Sequence, residues 1–254
     1  MKKIVKKIVK RLGYSIQKIK KIPPSVINRN PYLTNLLIVL EQIGFKPIEV
    51  VDIGANRGFW TRDFLKVFPD AAVTLIEPNQ TLQPYFQDLL DTRPNLQYLP
   101  LGVGKMPGVF RFTLNPQDDS STFLFDENEA QKRGFEQVEI PVTTLNVLLR
   151  EKKINVPDLV KIDAEGLDLE VLEGASDLFG HTEIFMVEAA VNNPVFPNTF
   201  LKVIQFMDGK GYRLFDITDN NRPFKPKMLW LAELVFVKKG GLVDQYRISD
   251  LTRN

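Results

Sequence analysis

The sequence predicts an α/β domain built on a mostly parallel sheet with helices on both faces. From residue 48 onward, short runs rich in Val, Ile and Leu alternate with segments whose apolar residues recur at helical spacing. The runs are apolar almost throughout, as expected of strands covered on both sides. Two late runs follow one another with no helical segment between them, which predicts an antiparallel pair at one edge.

In order, the chain opens with "MKKIVKKIVKRLGYSIQKIKKI", residues 1–22. At helical spacing Ile4, Val5, Ile8, Val9, Leu12, Ile16 and Ile19 gather on one side and the lysines on the other, until Pro23-Pro24 stops the helix. Lysines interrupt every apolar stretch, which argues against a secretory signal. Two readings stay open. The stripe packs on the body with its lysines solvated, or the segment lies on an anionic membrane surface. The body begins with a helix at "YLTNLLIVLEQIGF". "IEVVDIG" is a strand, "FWTRDFLKVF" a helix, "AAVTLIEP" a strand, "TLQPYFQDLL" a helix and "NLQYLPLGVG" a third strand. "GVFRFTL" alternates with period two, and "NPQDDSSTFLFDENEAQKRG" is expected to be a long loop. "FEQVEIPVTTL" leads into the helix "LNVLLR", "DLVKIDAEG" is a strand before the helix "LDLEVLEGA", and "TEIFMVEAA" a strand before "TFLKVIQFMDGKG". "YRLFDI" and "LAELVFVKK" form the late pair.

The 254 residues are 44% hydrophobic and 25% charged, and suit one large domain with an N-terminal extension. The absence of cysteine excludes disulfides and cysteine-ligated metals and is compatible with a cytoplasmic location. The net charge of +2 hides a polarity: ten Lys/Arg and no acid occupy the first 40 residues, leaving 23 basic residues against 31 acidic ones in an acidic body.

The turn "DIGANRG" raises the question of a ligand. Gly54 and Gly58 permit positive φ and close backbone approach, needs that a simple tight turn shares. Glu77 ends the second strand, where an acid can accept hydrogen bonds from both hydroxyls of a ribose. The turn lacks the middle glycine of a dinucleotide loop, and no Gly-Lys-Ser/Thr follows as in a P-loop. Asp52, two residues before Gly54, suits a cationic amino group or sulfonium better than a phosphate. The reading is S-adenosylmethionine rather than NAD, with an NAD-dependent oxidoreductase as a rival.

"VVDIGANRGFWT", "LIEPN", "VTTLNVLL" and "LVKIDAEGLDLEVLEGA", in this order, resemble the FkbM family of S-adenosylmethionine-dependent methyltransferases over roughly residues 48–190. The resemblance implies a class I methyltransferase (Rossmann-like) fold with seven strands and an antiparallel C-terminal pair. The division is a basic segment over 1–30 and a methyltransferase domain over 31–254. The resemblance also implies O-methylation of a hydroxyl on a sugar, glycan or secondary metabolite. By motif, Asp52, Gly54, Asn56 and Gly58 would surround the methionine part of the cofactor, Glu77 would hold the ribose, and Gly102 would lie by the adenine. Asn146 departs from the family, which often has Asp there.

Methyl transfer to an alcohol needs a group that orients the nucleophile and accepts its proton. Asp163, Glu165 and Glu188, near the ends of two strands, are the catalytic candidates. Asp163 has the alternative of a helix N-terminal acid, and Glu165 that of a carboxylate bonding loop amides. Asp163, Glu188 and Asn192 would also make an oxygen-ligand set for a divalent cation, which is not expected. His181 reads as a loop residue away from the crevice. Ser120, Ser121 and Thr122 are candidates for touching cofactor or substrate, or ordinary loop residues. No nucleic acid partner is expected: the place of the Asp/Asn-Pro-Pro-Tyr/Phe element holds "DAEG", and the body is acidic. A membrane-tethered cofactor-binding protein without chemistry is the non-enzymatic rival. The location expected is cytoplasmic, with residues 1–22 the candidate for contact with the inner membrane face.

Overall fold

The computed structural model describes residues 30–115 and 121–246. The N-terminal segment read as an amphipathic helix, and Ser120, lie outside the described residues. The first described helix, α1 (Pro31–Ile43), is capped as its sequence dictates. Asn30 Oδ1 accepts from the Leu33 amide at 3.0 Å, proline occupies the first turn, and Gly44 ends it in the left-handed conformation.

There follow β1 (Glu49–Ile53), α2 (Phe59–Val67), β2 (Ala72–Ile76), α3 (Gln87–Thr92), β3 (Leu96–Leu99), β4 (Gly102–Val103) and β5 (Gly108–Leu114). Then come α4 (Glu127–Arg133), β6 (Glu136–Thr143), α5 (Leu145–Arg150), β7 (Leu159–Ile162), α6 (Asp168–Glu173) and β8 (Ile184–Ala190). The C-terminal elements are α7 (Phe200–Gly209), β9 (Tyr212–Asn221) and β10 (Leu231–Lys238). Seven strands form the main sheet in the order β3-β2-β1-β7-β8-β10-β9. The first five are parallel, and β10 runs antiparallel to both β8 and β9.

The apolar strands feed two cores. Val50, Leu159, Ile184, Met186, Val235 and Val237 face α1 and α2, while their neighbours Val51, Val160, Phe185, Val187, Leu234 and Phe236 face α5, α6 and α7. This two-residue alternation between covered faces explains why the runs are apolar almost throughout. Among the described residues, no helix is long and apolar enough to cross a membrane.

Three expectations are corrected. The strand read as one piece over residues 95–104 breaks at Pro100. β3 stays in the main sheet, while β4 joins β6 and β5 in a separate three-stranded sheet. Proline has no amide hydrogen to continue the ladder. The helix read over residues 81–90 is a 3₁₀ turn, Gln80–Tyr85, followed by the short α3, because Pro84 lies inside the segment. The long polar loop contains α4. Asp126 and Glu129 form a reciprocal capping box, and Gly134 closes the helix in the left-handed conformation.

Candidate active site

The site lies beyond the carboxyl ends of the parallel strands, where β2 and β7 depart on opposite sides of β1. The turn after β1 presses against the chain leaving β7. At Gly54, φ is +71° and an added Cβ would lie 1.9 Å from the Asp163 carbonyl oxygen. Glycine is therefore required here for strand-to-strand closeness as well as for any ligand.

Two hollows meet at this turn. The inner cleft is walled by Ile76, Leu101, Val103, Phe112 and Phe123, with Glu77 and Gly102 at its side. The outer cavity, about 920 Å³, is ringed by Trp60, Phe125, Phe135, Phe196, Phe224 and Trp230. Gly54, Asn56, Asp163 and Glu165 border both.

Glu77 is held from below: Oε2 accepts from the Asn56 amide at 2.9 Å and Oε1 from the Asn79 amide at 2.8 Å. Burial pushes its pKa up to about 7, with the two amides pulling it back. Asn56 itself adopts φ +49°, which an Asn tolerates better than most residues.

Sheet register gathers the acids. Asp52 lies level with Lys161, Ile162 with Val187, and Glu188 with Glu233. Asp163, one residue beyond Ile162, thus sits beside Glu188. Lys161, only 5% exposed, has Nζ 3.1 Å from Asp163 Oδ2, 3.5 Å from Asp52 Oδ1 and 3.4 Å from the Gly54 carbonyl. Burial alone would lower the Lys161 pKa, but Asp163, Asp52 and Glu233 outweigh it and raise it. Glu188 is raised well above the usual range, first by burial and then by Asp163, Asp168 and Glu165. Glu233, whose carboxylate accepts from Thr218 Oγ1, is raised to about 7 by burial.

Of the six cofactor candidates, Gly54, Asn56, Glu77 and Gly102 line the inner cleft. Asp52 and Gly58 border neither hollow. Asp52 is fully buried behind the turn, accepting from Thr61 Oγ1 at 2.6 Å, and burial raises its pKa. Gly58 starts α2 in the left-handed conformation, against Phe86. Asp163, Glu165 and Glu188 all border the outer cavity.

Asp168, which sequence reasoning passed over, is an acid that bonds the loop. Fully buried, it accepts from the Ala164 and Gly166 amides at 3.1 and 3.2 Å and from Asn198 Nδ2 at 2.7 Å. Burial raises its pKa to about 7. Lys161 was also passed over, although a lysine inside "DLVKID" is the signal that finds it. Glu233 and Asn198 carry no such local signal, because the one is reached through an antiparallel partner and the other through a loop.

Asn192 does not join Asp163 and Glu188. Its Nδ2 donates to the Leu229 carbonyl at 2.7 Å, and Asn193 faces the cavity instead. Among the described residues, no group of three or more His, Cys, Asp or Glu side chains is arranged to hold a metal ion. Ser121 lines the inner cleft, whereas Thr122 donates to the Glu165 carbonyl at 3.1 Å. His181 is exposed ahead of β8, at the opposite end from the crevice. Asn146 bonds Ser176 Oγ and the Asp177 amide and borders neither hollow, so its departure from the family pattern leaves the site untouched.

The strand order, the glycine turn and the acid ending β2 define a class I methyltransferase that uses S-adenosylmethionine. The chain belongs to the FkbM family: the family model described as "Methyltransferase FkbM domain" matches residues 52–214. It is 25% identical to "Methyltransferase sdnD" of Sordaria araneosa, covering 70% of this chain and 77% of that protein. It is also 25% identical to "Methyltransferase 1" of Beauveria bassiana (strain ARSEF 2860), covering 50% of this chain and 58% of that one. Similar solved structures include the 1,6-didemethyltoxoflavin-N1-methyltransferase of Burkholderia thailandensis, which has bound S-adenosylhomocysteine. It is 13% identical with a TM-score of 0.46, covering 83% of this chain and 79% of that one.

The lining of the inner cleft is chemically compatible with the adenosine half of the cofactor. Its apolar walls suit a purine, and the Glu77 carboxylate at their margin suits a pair of ribose hydroxyls.

Proposed function

We propose that this methyltransferase acts on oxygen, with a hydroxyl of a sugar, glycan or secondary metabolite as acceptor. The observation that carries the reading is the position of Asp163, on the border between the inner cleft and the outer cavity and anchored by Lys161. S-adenosylmethionine, when bound, supplies a methyl group on a sulfonium. Glu77 would hold the ribose, Gly54 and Asn56 would line the methionine part, and Gly102 would lie by the adenine. Asp52 and Gly58 support the turn from behind.

Asp163 orients the acceptor hydroxyl and accepts its proton. Glu188, whose pKa burial and the neighbouring acids raise well above the usual carboxylate range, faces the outer cavity as a hydrogen-bonding group for the acceptor. Glu165 closes the boundary between the two hollows. The aromatic ring of the outer cavity offers flat apolar surfaces to a sugar or a polyketide-like acceptor, while Asn115, Asn193 and Asn221 supply amide groups. Residues 1–22, basic and amphipathic, are assigned to an anionic membrane surface at the inner face of the membrane.

The test is transfer of labelled methyl from S-adenosylmethionine to a pool of glycans and hydroxylated metabolites. An alkali-stable methyl ether is the expected product. An alkali-labile methyl ester would move the reaction to a carboxyl group. S-adenosylhomocysteine binding without transfer to any acceptor would favour a cofactor-binding protein without chemistry.

A further inference from the structure

The hairpin tip between β9 and β10 carries bases and an exposed Met228 that border neither hollow and that the methyl-transfer site does not explain. Residues 220–232 contain no acid, in a body that is otherwise acidic, and hold Arg222, Lys225 and Lys227, all exposed. Beside these bases stand two large apolar side chains that the fold leaves largely in solvent, Phe224 at 52% exposure and Met228 at 49%. Val195, 55% exposed, faces the same cavity as Phe224.

The tip is a built structure. Arg222 Nη1 donates to the Lys227 carbonyl at 2.9 Å, and Lys227 Nζ donates back to the Arg222 carbonyl at 3.2 Å. The Trp230 amide donates to the Asn221 carbonyl at 2.8 Å, and the Trp230 ring meets Phe224 edge-on at 4.8 Å. The chain after β8 secures the other side: the Val191 amide donates to the Trp230 carbonyl at 3.0 Å, and Asn192 Nδ2 reaches Leu229. Phe224 and Met228 are thus presented outward on a braced support rather than left over from a core.

We propose that the β9–β10 tip is a docking element for an anionic lipid surface, seating Phe224 and Met228 at the level of the headgroups with Arg222, Lys225 and Lys227 on the phosphates. Charge and shape choose this partner. Bases that flank exposed apolar groups match a surface with anionic headgroups over hydrocarbon. The same tip supplies Pro223, Phe224 and Trp230 to the wall of the outer cavity, so docking turns the cavity mouth toward the lipid. The inference stands apart from residues 1–22 and does not depend on which acceptor is methylated.

The experiment is sedimentation of the full chain with phosphatidylcholine vesicles, with and without phosphatidylserine. Each basic residue at an anionic surface contributes about five-fold in partitioning. The triple variant R222Q/K225Q/K227Q should therefore bind phosphatidylserine vesicles roughly 100-fold more weakly, with F224A/M228A also weakened. K152Q/K153Q, on exposed lysines before β7, should bind as the unaltered chain does. In W60F, Trp230 is the only tryptophan left and should be quenched by lipids brominated near the headgroup. A triple variant that binds like the unaltered chain overturns the proposal, as does equal binding to neutral vesicles, or a Trp230 that brominated lipid does not quench.

Discussion

Lys161 Nζ stands 3.1 Å from Asp163 Oδ2 in a position that also reaches Asp52 and the Gly54 carbonyl. One buried cation therefore ties the turn after β1 to the acid that borders both hollows. Removing it leaves Asp52, Asp163 and Glu233 without their shared counter-charge. Lys161→Met should destabilise the fold by about 3–5 kcal/mol, measured by urea unfolding. Adding Asp52→Asn should recover part of that loss, and a Lys161→Met protein as stable as the parent would contradict the arrangement.

Asp163→Asn keeps the size of the side chain but removes the carboxylate proposed to accept the proton. Turnover should fall about 10²–10⁴-fold, while S-adenosylhomocysteine binding by calorimetry changes only a few-fold. Equal loss of binding and turnover would reassign Asp163 to cofactor binding.

Glu77→Gln should weaken S-adenosylhomocysteine binding by roughly 10–100-fold, the cost of about 1–3 kcal/mol for a poorly satisfied polar group. A glutamine has only one acceptor oxygen for the Asn56 and Asn79 amides that the carboxylate now holds. Titration calorimetry reads the change directly.

Gly54→Ala would drive a Cβ into the Asp163 carbonyl at a backbone angle that L-residues disfavour. The expected outcome is a thermal midpoint lower by several degrees and loss of the ligand-induced thermal shift. An unaltered midpoint would mean that β1 and β7 can separate at little cost.

The buried carboxyls also predict a pH dependence of stability. Glu77, Asp168 and Glu233 are raised to about 7, from 4.5, 3.8 and 4.5 respectively, and Glu188 is raised well above 4.5. Each holds its proton more tightly in the folded state than in the unfolded chain. Their contribution is therefore complete below the ordinary carboxylate range and is lost as pH rises, through about 7 for Glu77, Asp168 and Glu233 and through the raised range of Glu188. The thermal midpoint should be higher at about pH 5.5 than at about pH 8, and Glu188→Gln should reduce that difference by raising the value at the higher pH.

Much of this was legible in the sequence because it is written locally. The apolar runs marked the main strands, "DIGANRG" marked the turn, and Glu77 could be placed by its position at the end of the second strand. Where reading failed, the deciding interaction was either unweighted or distant. The Asp126–Glu129 capping box was present in the sequence but hidden in a polar stretch. Pro84 and Pro100 were visible, yet their effects depended on which neighbours needed an amide hydrogen.

The sequence by itself determined the layered α/β architecture, the family and the carboxylates from which the site is built. A strand's burial and a turn's backbone angles follow from residue type over a few positions. Only the tertiary structure decided where those carboxylates sit and what they contact. It withdrew Asp52 behind the turn, gave the loop to Asp168, turned Asn192 toward Leu229, and set Lys161 among acids from three strands. The physical reason is that charge interactions depend on distance and burial, and in a sheet these are set by register between strands far apart in the chain.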